Sequence, residues 1–147
     1  MNATCPFCKI AAGTIDAHIV HNDGQVCAFL DRGPIRPGHL QIVPHEHVAF
    51  FDDLAPDLAL AVMSVGQRLA RVQKHIWGVD RVAFLFTGGD VPHVHAHLVP
   101  MHEKTDITSA RYIAETDLTF RPCPRPPAEE LANIASDIRT ALDHETL

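Results

Sequence analysis

Between Val91 and Pro100 apolar and polar positions alternate: His93, His95 and His97 are separated by Val94, Ala96 and Leu98, and a proline closes the run. A repeat of two sends successive side chains to opposite faces of a strand. The spacing therefore predicts a strand over 91–100 with three imidazoles on one face, ~6.6 Å apart at ~3.3 Å per residue. Shorter strands are predicted at 19–21 and 25–30, turning at Asn22-Asp23-Gly24, and at 37–44. Leu58, Val62, Val65, Leu69, Val72 and Ile76 recur at steps of four and three between Pro56 and Gly78, which predicts one long helix with a core-facing stripe. The apolar run Arg81–Phe86 predicts a buried central strand. Arg121–Pro127 reads as an extended linker, and 129–144 as a C-terminal helix with acids in its first turn. No internal repeat interrupts this order. The fold class is α+β: antiparallel strands, one long helix and a C-terminal helix.

Composition narrows the picture. The 147 residues suit one domain over 1–147, with a motif-bearing core at 5–101 and an extension at 102–147. A net charge of −6 argues against a broad nucleic-acid surface, so an anionic ligand needs a local site. No apolar run approaches the ~20 residues of a membrane span. Met1–Lys9 has no secretory pattern, so a cytoplasmic protein is expected. Four cysteines do not make a disulfide framework, and Cys27, inside an apolar run, is expected in the core.

The histidine strand admits three readings. It is a histidine-rich surface strand, although such a face more often uses Thr, Lys or Glu. It holds a metal through His at i and i+2. Or one imidazole attacks phosphorus while its neighbours hold charge. Cys5-Pro6-Phe7-Cys8 is either a redox pair or half of a zinc site, and the missing room for a preceding strand favours zinc. Asp31, at a strand end, is a turn former or a holder of ribose hydroxyls.

The run His93-x-His95-x-His97-x-x-Pro100, with Pro37-Gly38-His39-x-x-x-x-Pro44 and Asp31 upstream, resembles the histidine-triad (HIT) family, in particular its small nucleotide-binding hydrolases. The resemblance covers residues 5–101. It implies a homodimer that joins two sheets into one. It also implies attack by His95 on the α-phosphate of an AMP conjugate, a phosphoramidate or dinucleoside polyphosphate. His39 and His97 then hold the phosphate oxygens, Asp31 the ribose, and Phe29, Leu30 and Arg32 surround the purine. A neutral imidazole with pKa near ~6.5 needs no separate base for such an attack. Some members carry a structural zinc, and the matching ligands here are Cys5, Cys8, His47 and His93; His45 belongs to neither set and is expected in a solvated loop. One departure stands out. Gly89 and Asp90 occupy positions beside the phosphate where the family usually has Gln and Ser or Thr. A hydrolase with a catalytic zinc on the histidine strand and a non-enzymatic nucleotide-binding dimer are the competing readings.

Overall fold

The computed structural model describes residues 2, 4–89, 91–107, 127–130 and 133. The chain separates into two compact units, 1–113 and 114–147. In the second unit Ala128–Glu130 and Asn133 are helical. The remainder of the helix expected at 129–144, and of the linker before it except Pro127, lies outside the described residues.

The first unit opens with helix α1 (Pro6–Ala11), begun by a proline whose missing N–H costs nothing in a first turn. Strands β1 (Ile19–Asn22) and β2 (Val26–Leu30) form the expected hairpin. Its turn is fixed by the Asp23 carboxylate, which accepts the N–H groups of Gln25 and Val26 at 3.0 and 2.8 Å. Strand β3 (Leu40–Pro44) follows, then a 3-10 turn (Phe51–Asp53), helix α2 (Pro56–Trp77), and strands β4 (Val82–Phe86) and β5 (Ala96–Pro100). The five strands make one antiparallel sheet in the order β1-β2-β3-β5-β4. Among the described residues no helix is long and apolar enough to cross a membrane.

Alternation divides the sheet into two faces. Val26, Ala28, Leu40, Ile42, Ala96 and Leu98 meet Val62 and Val65 of α2, while Cys27, Phe29 and Val43 meet Ile10 and Ala11 of α1. The histidines belong to the α1 side. Cys27 is in the core, as expected, and burial raises its thiol to about 11.

Three expectations are corrected. The apolar run Arg81–Phe86 contributes an edge strand, half-buried along its length, not a central one. The stripe of α2 is core only as far as Leu69: Val72 and Ile76 are 51% and 60% exposed. At ~1.5 Å per residue a 22-residue helix is ~33 Å long, more than strands of five residues at ~3.3 Å each can cover. The histidine strand begins at Ala96, because the His93 N–H closes a tight turn onto the Val91 carbonyl at 2.8 Å and Val94 N–H pairs with Val48 at 2.7 Å.

The far end of α2 anchors the approach to β3. Gln73 donates its amide N–H to the Gly38 carbonyl at 2.7 Å. Gly38 has φ +90°, and a Cβ built on it would lie 2.2 Å from the Trp77 indole. Gly78, in left-handed conformation, ends the helix as its sequence position predicts.

Candidate functional site

Register sets the centre of the site. Phe29 on β2, Gln41 on β3 and His97 on β5 are consecutive cross-strand partners, so they form one row on the α1 face. His39 stands just before β3, with its Nε2 3.0 Å from His97 Nδ1. Backbone geometry assigns the protons. Ile35 N–H donates to His39 Nδ1 at 3.2 Å, so the neutral ring carries its proton on Nε2. That N–H can only donate to His97 Nδ1, and His97 in turn presents Nε2–H, 3.1 Å from the Thr87 hydroxyl. The chain of donors runs one way, from the Ile35 backbone towards Thr87.

His95 is fixed with the opposite tautomer. Its Nδ1–H donates to the His93 carbonyl at 2.7 Å, which leaves Nε2 as a bare lone pair. The ring sits 5.1 Å from that of His97 and edge-on to Phe7 at 5.0 Å. One imidazole thus offers a nucleophilic nitrogen while its neighbour offers an N–H.

His93 does different work. Its Nε2–H donates to the Pro44 carbonyl at 3.0 Å, so Nδ1 is the free base, and it points into a cluster with Cys5, Cys8 and His47. There the two Nδ1 atoms are 3.3 Å apart, and the sulfur–nitrogen separations are 3.4 Å (Cys5–His93), 3.4 Å (Cys8–His47) and 3.5 Å (Cys8–His93). Bonds of ~2.0 Å to nitrogen and ~2.3 Å to sulfur in a tetrahedron give edges of ~3.3 and ~3.5 Å. The donor set fits a closed zinc site. The Asn2 N–H on Cys8 Sγ at 3.4 Å and the Pro44 carbonyl on His93 are the outer contacts such a site uses.

Beside the row lies a pocket of about 1000 Å³ lined by Phe7, Ile10, Ile15, Phe29, Leu30, Arg32, Asp31 and Gln41, among others. Apolar walls with a few polar groups at one end suit a flat heterocycle carrying a polar tail. Asp31 accepts the Gly33 N–H on Oδ1 at 2.7 Å and the Gln41 amide N–H on Oδ2. Arg32 donates to the Asp16 carbonyl at 3.3 Å on the rim. Gly89 is exposed on the loop before the bend, and Asp90 lies outside the described residues. His45 is half-buried and hydrogen-bonded to Asn22 Oδ1 at 2.8 Å, so it braces the hairpin where a solvated loop was expected.

Burial favours the neutral form of three of these imidazoles, His39, His93 and His97. Burial lowers His39, partly countered by Asp31. Burial also takes His97 to about 4, helped by His39 and His95 and opposed by Asp31. His93 falls to about 4, mainly through burial, with His47 and His95 adding to it and the Pro44 carbonyl opposing. Burial raises the Cys8 thiol, and the Asn2 N–H works against that.

Sequence reasoning missed three residues here. Phe7, between the two cysteines, both lines the pocket and touches His95. Gln41 had a visible signal, a lone amide in an otherwise apolar strand. Thr87 had none.

The HIT domain family model matches residues 12–104. An uncharacterised HIT-like protein of Methanocaldococcus jannaschii is 35% identical over 104 residues, covering 67% of this chain and 80% of its own. The adenosine 5'-monophosphoramidase HNT1 of Saccharomyces cerevisiae is 32% identical over 123 residues, covering 80% and 75%. A zinc-bound histidine triad family protein of Mycobacterium smegmatis has a solved structure with TM-score 0.65 and 26% identity, covering 95% of this chain and 96% of that one.

Proposed function

Because the chain belongs to the histidine-triad (HIT) family, we propose that it hydrolyses AMP conjugates, phosphoramidates or dinucleoside polyphosphates, at the α-phosphate through a nucleotidyl-His95 intermediate. The observation that carries this reading is the fixed tautomer of His95, whose Nδ1–H is held by the His93 carbonyl while Nε2 stays bare. The activity named for the yeast relative supports an amide of AMP as the first substrate to try.

The steps follow from the residues. The base enters the pocket between Phe7 and Phe29, beside Leu30 and Arg32, and the ribose hydroxyls donate to Asp31. His95 Nε2 attacks phosphorus; an N–P bond forms, the bond to the leaving amine breaks, and the amine nitrogen takes up a proton from solvent, balanced by the proton that water gives up in the second step. His97 Nε2–H and His39 Nε2–H hold the non-bridging oxygens, where negative charge concentrates. Water then attacks phosphorus, the bond to His95 breaks, and AMP leaves. The family resemblance assigns sequence positions 89 and 90, Gly and Asp here, to contact with this phosphate.

Cys5, Cys8, His47 and His93 would hold a structural zinc, supplying a cross-link between α1, the 45–48 loop and the bend before β5. A homodimer is supported by the outer edge of β4, which pairs with no strand among the described residues, and by exposed Phe51, whose ring packs 4.8 Å from Phe86 of that strand. Sedimentation at micromolar concentration tests it; a monomer refutes it.

The rival reading, a catalytic metal, has one observation in its favour: donor atoms of Asp31, His39 and His97 lie within 4.8 Å of one another. The Gln41 amide nitrogen, however, already occupies the position between Asp31 and His97, so those lone pairs are spoken for. Acid-quenched turnover of an AMP amide, followed by mass spectrometry of peptides, decides among the readings. A nucleotidyl group on His95 is expected. Turnover that leaves no adduct and depends on added metal refutes the nucleophile, and AMP binding without any turnover refutes the enzyme.

A further inference from the structure

Gln41 is buried (6% exposed) in a strand whose other members are apolar or proline, and its side chain joins the two halves of the site. Nε2 donates to Asp31 Oδ2 and lies 3.1 Å from His97 Nδ1. The Asp31 carboxylate accepts only, so it fixes which end of the amide faces inward. Holding that orientation leaves Oε1 buried with no partner among the described residues. An amide kept at the expense of a buried acceptor is spending stability on where its N–H groups point.

Counting donors shows what they are for. His39 Nε2–H at 3.0 Å and one Gln41 N–H at 3.1 Å both address His97 Nδ1, which has a single lone pair. Among the described residues His39 has no good alternative, since Asp31 Oδ2 is 3.8 Å away. The site therefore holds one N–H more than its own acceptors can take. We propose that Gln41 is a positioning residue: when His39 turns its Nε2–H to a phosphate oxygen, the Gln41 amide takes over His97 Nδ1 and keeps His97 in the Nε2–H form. The inference rests on the nucleotidyl-transfer reading for its use of the phosphate. Its structural content also ties the sugar end to the phosphate end, because the same amide holds Asp31.

Long-range 15N–1H correlation spectra of the imidazoles, recorded with AMP as the probe ligand, read the tautomer of His97 directly. Wild type should show a neutral Nε2–H ring. Gln41→Glu replaces the donor by an acceptor of the same shape and should move the His97 proton to Nδ1. Gln41→Leu, which suits an apolar strand and decides the matter if the glutamate variant does not fold, should give a His97 signal averaged between tautomers. In the leucine variant kcat on an AMP amide should fall roughly 10- to 100-fold, below the full loss of an oxyanion donor, with KM nearly unchanged. An unaltered Nε2–H spectrum in AMP-bound Gln41→Leu overturns the proposal whatever the rate, and so does an altered spectrum with wild-type kcat. If wild type forms no adduct on His95, the hydrolase reading falls, but the spectra still judge Gln41.

Discussion

Removing the proposed zinc is the perturbation that reaches furthest through this structure. Its four candidate ligands, Cys5, Cys8, His47 and His93, come from the N-cap of α1, the body of α1, the loop after β3 and the bend before β5. Without the ion, His93 Nδ1 is a bare lone pair at 0% exposure, because its other nitrogen is committed to the Pro44 carbonyl. Among the described residues, only thiol S–H groups, weak donors, and His47 Nδ1 at 3.3 Å face it. Buried groups left this poorly satisfied cost ~1–3 kcal/mol each, so two of them amount to ~2–6 kcal/mol. Helix α1, at six residues, cannot hold itself and is left with the contacts of Phe7, Ile10 and Ala11 with Cys27, Phe29 and Val43, the Phe7–His95 ring contact and one hydrogen bond from Asn22. At ~3 °C per kcal/mol for a domain of this size, the midpoint should drop by about 6–18 °C. Calorimetry of metal-loaded and chelator-treated protein, with metal content measured on both, gives the number. AMP binding should weaken in parallel, since Phe7 leaves the pocket wall with α1. A drop under about 3 °C, less than ~1 kcal/mol at this size, in protein shown to have lost its metal would refute the cluster as a structural cross-link.

Other outcomes follow from the same geometry. His95→Ala should abolish adduct and turnover yet still bind AMP, while His97→Ala should lose about 10²- to 10³-fold in rate, the usual loss for one oxyanion donor; more than about a tenth of wild-type activity in His95→Ala contradicts the nucleophile. Replacing Gly89 by Gln together with Asp90 by Ser should raise kcat/KM on an AMP amide at least ~10-fold by restoring a side-chain donor and removing a charge. A change under about threefold in a variant that binds AMP means these positions do not touch the phosphate. Asp106 is buried, which pushes its carboxyl up, but Arg36 and the N–H groups of Glu103 and His102 outweigh this and hold it at about 2 against 3.8. Its folded pKa is depressed, so its contribution of about 2 kcal/mol is complete above pH 4 and fades as pH falls through 2. Denaturant titrations of wild type and Asp106→Asn should differ by a gap that closes between pH 4 and 2; a gap unchanged with pH refutes the linkage.

Period-two alternation gave the faces of the histidine run correctly, with Val94, Ala96 and Leu98 towards α2, even though regular pairing begins only at Ala96. Where the strand starts depends on Val94 pairing with the distant Val48, which spacing cannot reveal. The apolar run at β4 misleads because a strand covered on both faces and an edge strand carry the same hydrophobic signal. Val72 and Ile76 obey the helical period, but the period says nothing of how far the sheet extends beneath it. At the site, the histidines and cysteines announced themselves by type. Their tautomers did not, because His93, Pro44 and Ile35 set them through backbone groups that every residue possesses. Gln41 is hidden inside an apolar strand, where its polarity is the one signal it carries.

The contact between Gly38 and Trp77 has a consequence for how this sequence can drift. Position 38 is constrained twice over, by the indole 2.2 Å from any added Cβ and by a φ of +90° that a side chain disfavours in any case. Shrinking Trp77 lifts only the first restriction. Compensating exchange between the two positions is therefore closed in one direction: tryptophan can be lost while glycine stays, but glycine cannot be lost even after tryptophan has gone. Since Gly38 leads directly into His39, an evolutionary path through residue 77 is free to loosen the approach to the histidines without ever rewriting it.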